Sequence, residues 1–125
     1  MVEVGKQLSR TIEIDEARAI SFMGPDLRVY STPSILSDIE FACRDLLLTM
    51  IDDGMDSVGS HVTLEHVGAA KLGRSADVTI AVTEAGKRRI TFSVSVTCEG
   101  RTVANATHVR TVILVADLKA KIGQL

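Results

Sequence analysis

Between Ser31 and Gly54 the apolar side chains return every three to four residues. Ile35, Leu36, Ile39, Ala42, Cys43, Leu46, Leu47, Met50 and Ile51 form one broad stripe, with Ser37, Asp38, Asp45 and Thr49 opposite. That spacing predicts a long helix. Ser31 or Thr32 can cap its start, Pro33 fits the first helical position, where a missing N–H costs nothing, and Asp52, Asp53 and Gly54 stop it. At about 100° per residue, Glu40 falls between Leu47 and Ile51 on the flank of the stripe. An unpaired carboxylate buried there either costs several kcal/mol or takes up a proton, so packing alone gives no reason for it.

On either side of this helix the period changes to two. Leu8, Ile12 and Ile14 alternate with polar residues over positions 7 to 15 and predict a first strand, whereas Ala17 to Tyr30, with Gly24-Pro25-Asp26 in its middle, reads as a loop into the helix. Four strands follow Gly54. In the first, Val58, Ser60, Val62, Leu64 and His66 share the inward parity, and Gly59, His61, Thr63 and Glu65 the outward one. Ala76, Val78, Ile80 and Val82 line the second, and Ile90, Phe92, Val94, Val96 and Cys98 the third. The last runs from about Thr102 to Val115. Glu84-Ala85-Gly86-Lys87 and Glu99-Gly100-Arg101 read as hairpin turns, and Gly68 to Arg74 as a slightly longer connection. One strand, one long helix and four antiparallel strands make an α+β chain whose oily sheet face has a single helix to bury against. The arrangement expected is a hotdog fold, a single long helix wrapped by a five-stranded antiparallel sheet, as one domain over residues 1–125. A single helix leaves apolar surface and sheet edges uncovered, so a homodimer is expected, able to pair further into tetramers.

Composition narrows the function classes. A chain of 125 residues buries a core without disulfide or metal staples. With a net charge of −2, three Phe, one Tyr and no Trp, it offers nucleic acid neither a basic surface nor a stacking platform. Neither a leader-like start nor an apolar run of membrane-spanning length is apparent, so a cytoplasmic protein without a membrane partner is expected. Cys43 on the helix stripe and Cys98 on an inward strand parity read as buried thiols, and His61 with Glu65 supplies too few ligands for a metal.

Chemistry concentrates at Thr32, Glu40 and His66. Taken singly, Thr32 is most simply a helix cap and His66 a satisfied core residue. The strand bearing His66 follows the helix and must lie against it, which makes a Glu–His pair geometrically reasonable. The intervals, eight residues from Thr32 to Glu40 and twenty-six from Glu40 to His66, are the telling feature. With Ser57-Val58-Gly59-Ser60-His61-Val62 and His66-Val67-Gly68-Ala69-Ala70 around them, these residues resemble the fluoroacetyl-CoA thioesterase group of hotdog proteins. The resemblance runs from the loop before the helix to Thr107-His108-Val109-Arg110 in the last strand. It implies a cofactor-independent acyl-CoA thioesterase in which Thr32, Glu40 and His66 cleave the thioester and Gly59 lies near them. Where that group carries a phenylalanine lid, this loop has Phe22 and Met23 as its large apolar residues. They are the expected substrate-binding pair, and a short or medium acyl-CoA is the expected substrate. A hotdog dehydratase pairs a catalytic His with an Asp early in the helix, and this helix has no His. The alternative is a non-enzymatic acyl-CoA binding module in which Glu40 and His66 only satisfy each other. His108 and Arg110 share one parity of the last strand, and the sequence assigns them no ligand.

Overall fold

The computed structural model describes Met1–Leu125. Its elements are β1 (Gln7–Glu13), α1 (Thr32–Leu48), β2 (Met55–His66), β3 (Ser75–Ala85), β4 (Arg89–Cys98), β5 (Arg101–Leu114) and α2 (Val115–Ile122). The strands form one antiparallel sheet in the order β1-β3-β4-β5-β2. Ile35, Ile39, Ala42, Cys43, Leu46 and Leu47 on α1 join Val78, Ile80 and Val82 of β3 and Ile90, Phe92 and Val96 of β4 in one buried core. The period-two and period-3.6 stripes thus meet face to face, and the fold is the expected α+β hotdog arrangement. No helix is long and apolar enough to cross a membrane.

Local chemistry fixes the connections. The β4–β5 turn places Glu99 and Gly100 at φ of 51° and 76°. A two-residue hairpin of that hand matches the strand twist. The β2–β3 connection is different in kind. Because β2 pairs with β5 and β3 pairs with β1, the segment after His66 carries the chain past β5 and β4. β2 is left as an edge strand twelve residues long, hydrogen-bonded along one side only.

Four details depart from the sequence reading. α1 ends at Leu48, short of Asp52-Asp53-Gly54, because Thr49 closes it: its Oγ1 donates to the Leu46 carbonyl at 2.6 Å. After Leu114 the chain coils into α2, which is too short for a helical period to show against the apolar run Val112–Val115. Asp38, expected on the wet face, is only 8% exposed. The loop before α1 folds over that flank, so that Arg18 grips Asp38 with Nε and Nη2 at 2.9 and 3.0 Å while the Tyr30 hydroxyl donates to the same carboxylate. Burial, together with that carboxylate, holds the Tyr30 phenol far above its ordinary range. Finally, β2 has a bulge. Gly59 pairs with Arg110 and His61 with Val109, leaving Ser60 unmatched. The extra residue reverses the parity before it, so Ser57 is buried and Val58 exposed, the opposite of regular alternation.

Candidate active site

Thr32 is free of the capping role. Ser31 is the N-cap, its Oγ accepting from the Ser34 N–H at 3.2 Å, and Thr32 opens the helix proper with Pro33 behind it. The Thr32 hydroxyl is therefore available, and it lies 2.7 Å from Nδ1 of His66. His66 is half-buried at the end of β2 on its inward side, and His61 is exposed. The contact holds the ring plane, and because a hydroxyl both donates and accepts it is compatible with either tautomer; with Nδ1–H donating to Thr32 Oγ1, Nε2 keeps a lone pair. The N–H of Thr32 has no backbone acceptor, as is usual in a first helical turn.

Glu40 sits farther along α1 and meets a partner the sequence left without a role. Its Oε2 is 3.4 Å from Nη1 of Arg110, with the Glu40 side chain 43% exposed. The carboxylate is thus neither deeply buried nor unpaired, which corrects the reading that packing gives it no reason to be there: a buried guanidinium faces it. A parity argument could flag Arg110 and His108 as inward polar residues, but nothing in a strand's alternation says which helix residue lies above them. Beside Glu40 a cavity of about 370 Å³ is lined by Pro33, Leu36, Ser37, Phe41, Arg44 and Arg110. Arg44 is tied down by Asp56 through Nε and Nη2 at 3.0 and 2.7 Å, and that guanidinium holds the Asp56 carboxyl below its usual range.

Gly59 lies under the carboxylate. A Cβ at this position would come within 2.7 Å of Glu40 Oε2 and 3.2 Å of His108 Cε1, so only a bare backbone lets Glu40 settle there. The bulge turns this face of Gly59 inward.

The single chain brings together Thr32 with His66, and Glu40 with Gly59 and Arg110, as two half-sites. Thr32 and Glu40 are eight residues apart on one helix, about 12 Å of helical rise. Phe22 and Met23 are exposed in the loop before α1 and do not line the cavity beside Glu40. Ser57, His108 and Arg110 are the polar side chains of the site that sequence reasoning did not assign.

The chain as a whole is similar to known proteins. Residues 14–116 match the family described as fluoroacetyl-CoA-specific thioesterase. The fluoroacetyl-CoA thioesterase of Streptantibioticus cattleyicolor is 22% identical, over 98% of this chain and 94% of its own length. Among solved structures, that of the fluoroacetyl-CoA thioesterase FlK superposes with a TM-score of 0.89 at 21% identity, covering 99% of this chain and 97% of that one. A thioesterase superfamily member from Thermus thermophilus superposes with a TM-score of 0.90 at 19% identity, covering 99% and 93%. Identities this low make the structural likeness one of fold.

Proposed function

This chain belongs to the family of fluoroacetyl-CoA-specific thioesterases and is an acyl-CoA thioester hydrolase, and from that premise we propose that Thr32, Glu40 and His66 cleave a short or medium acyl-CoA into free acid and CoA. The observation that carries the reading is the 2.7 Å contact between Thr32 Oγ1 and His66 Nδ1, made by a threonine released from capping by Ser31. Thioester hydrolysis requires an oxygen nucleophile at the carbonyl carbon, donors for the oxyanion, and a proton for the departing thiolate. Glu40 either takes the proton of a water whose oxygen attacks the carbonyl carbon, or attacks the carbon itself to form a mixed anhydride that water, giving its proton to His66, then hydrolyses to free acid and the restored carboxylate. His66, oriented by Thr32, moves the proton that ends on the CoA sulfur when the C–S bond breaks. The free N–H of Thr32, at the positive end of α1, receives the developing charge.

One thioester carbonyl is too small to touch two half-sites about 12 Å apart along a helix. We therefore infer a homodimer. The unpaired edge of β2 and the exposed side chains of Phe41 and Val58 support pairing across a two-fold axis that sets Glu40 of one protomer against Thr32 and His66 of its partner. A cytoplasmic setting belongs to the same proposal and is supported by two buried free cysteines, Cys43 and Cys98.

The test is Glu40→Gln, assayed by thiol release from a panel of acyl-CoA thioesters. Activity is expected to fall by about 10²- to 10⁴-fold with acyl-CoA still bound. Because Glu40 is 43% exposed and its contact with Arg110 is long at 3.4 Å, stability should change by less than about 1 kcal/mol. A variant that keeps its activity per folded molecule overturns the assignment.

A further inference from the structure

We propose that His108 is a positioning residue for hydrolysis: it aims the guanidinium of Arg110 at Glu40. The inference rests on the reading of Glu40 given above. His108 and Arg110 stand two residues apart on the inward side of β5 and are 2% and 4% exposed. An arginine so deeply buried needs its donors satisfied, and the structure satisfies them in a definite order. Nε donates to Ser57 Oγ at 2.7 Å and Nη2 to the Ser57 carbonyl at 2.8 Å, which pins one edge of the guanidinium to β2. The other edge is held by His108.

The tautomer of that histidine follows from its neighbours. Nδ1 lies 3.0 Å from the carbonyl oxygen of His61, which can only accept, so Nδ1 carries the proton. Nε2 then presents its lone pair, and Nη1 of Arg110 donates to it at 3.2 Å. Nη1 is also the nitrogen that meets Glu40, 3.4 Å from Oε2. One atom therefore serves the imidazole and the carboxylate together, and the ring, with the Ser57 edge opposite, completes the placing of that atom. The same ring touches the space above Gly59 that the carboxylate occupies. The charged groups facing the ring are Arg110 and Glu40, and burial pushes its pKa below the ordinary histidine value, which keeps Nε2 an acceptor. A hydrophobic side chain of similar size would fill the volume and leave the planar guanidinium held by its Ser57 edge alone, able to tilt about it.

His108→Leu and His108→Gln separate positioning from packing. Glutamine can donate to the His61 carbonyl and accept from Arg110, whereas leucine can do neither. With both variants folded, His108→Leu should lower kcat by about 10- to 100-fold with KM within about twofold, and His108→Gln should recover most of that loss. In the Glu40→Gln background, His108→Leu should add nothing, since the group it serves is gone. An unchanged kcat in His108→Leu, a His108→Gln as slow as His108→Leu, or additive losses in the double variant would each overturn the proposal. Nitrogen-15 shifts of the wild-type ring test it without any variant, and an Nε2–H tautomer or an imidazolium at pH 7 would sink it. Failure of the Glu40 reading would register separately, as an active Glu40→Gln single variant.

Discussion

Replacing Gly59 with alanine would place one methyl group in the tightest part of the site. The new Cβ would stand 2.7 Å from Glu40 Oε2 and 3.4 Å from its carboxyl carbon, against an ordinary limit near 3.4 Å, so the oxygen must retreat by roughly 0.7 Å. His108 Cε1, at 3.2 Å, needs to give by only a few tenths of an ångström. The backbone at Gly59 is not in the left-handed region, so alanine brings no strain there and restricts the unfolded chain, a gain of about 0.4–1 kcal/mol. The atom pushed hardest is the end of a flexible, half-exposed side chain, and the fold should absorb its movement with Tm within about 4 °C of wild type. Activity should not absorb it. A reacting group misplaced by about 1 Å costs on the order of 10²-fold, and that is the expected fall in kcat for thiol release at saturating acyl-CoA. Measuring kcat and thermal unfolding on one preparation decides the matter. A kcat within twofold of wild type would refute the placement of Glu40 over Gly59, and a loss matched by unfolding would refute the claim that the fold tolerates the methyl.

Asp38→Ala leaves Arg18 and the Tyr30 hydroxyl without their shared acceptor and should cost about 2–3 kcal/mol, read as a lowered denaturation midpoint. His61→Ala removes an exposed side chain but keeps the carbonyl that His108 uses, so stability should stay within about 0.5 kcal/mol and activity should not change. Burial pushes the Cys43 thiol up to about 12, so a disulfide reagent at pH 8 should leave it unmodified until the protein unfolds; rapid modification of the native protein would contradict its enclosure. Light scattering after gel filtration should report a dimer at micromolar concentration, and a monodisperse monomer would remove the basis for a site shared between protomers.

The helix and the sheet were legible because burial on one face imposes a period, and Ile35 to Leu47, Ala76 to Val82 and Ile90 to Cys98 each keep theirs. Thr32, Glu40 and His66 stood out as candidates through their spacing and the family resemblance it carries. What periodicity cannot carry is cover supplied from elsewhere in the chain. Asp38 sits opposite the apolar stripe by helical angle, yet the loop bearing Arg18 and Tyr30 closes over it, and no local pattern announces where a loop lands. Arg110 and His108 were visible as sharing one parity of β5, but the partners of Arg110, Ser57 and Glu40, lie fifty-three and seventy residues away in sequence. The bulge misled differently. Strict alternation through Ser60 turns Val58 inward, and one unmatched residue is invisible to a rule of two.

That unmatched residue has a further consequence, which is one of arithmetic. Gly59 and His66 are seven positions apart, an odd interval, and in an uninterrupted strand residues an odd distance apart face opposite ways. No regular strand could set a glycine beneath Glu40 and a histidine beside Thr32 at this interval. Ser60 acts as a phase shifter between two segments of β2, one answering to Arg110 and the other to Thr32. Removing Ser60 would leave every side chain of the site in the protein and turn one half of that pair to the outside.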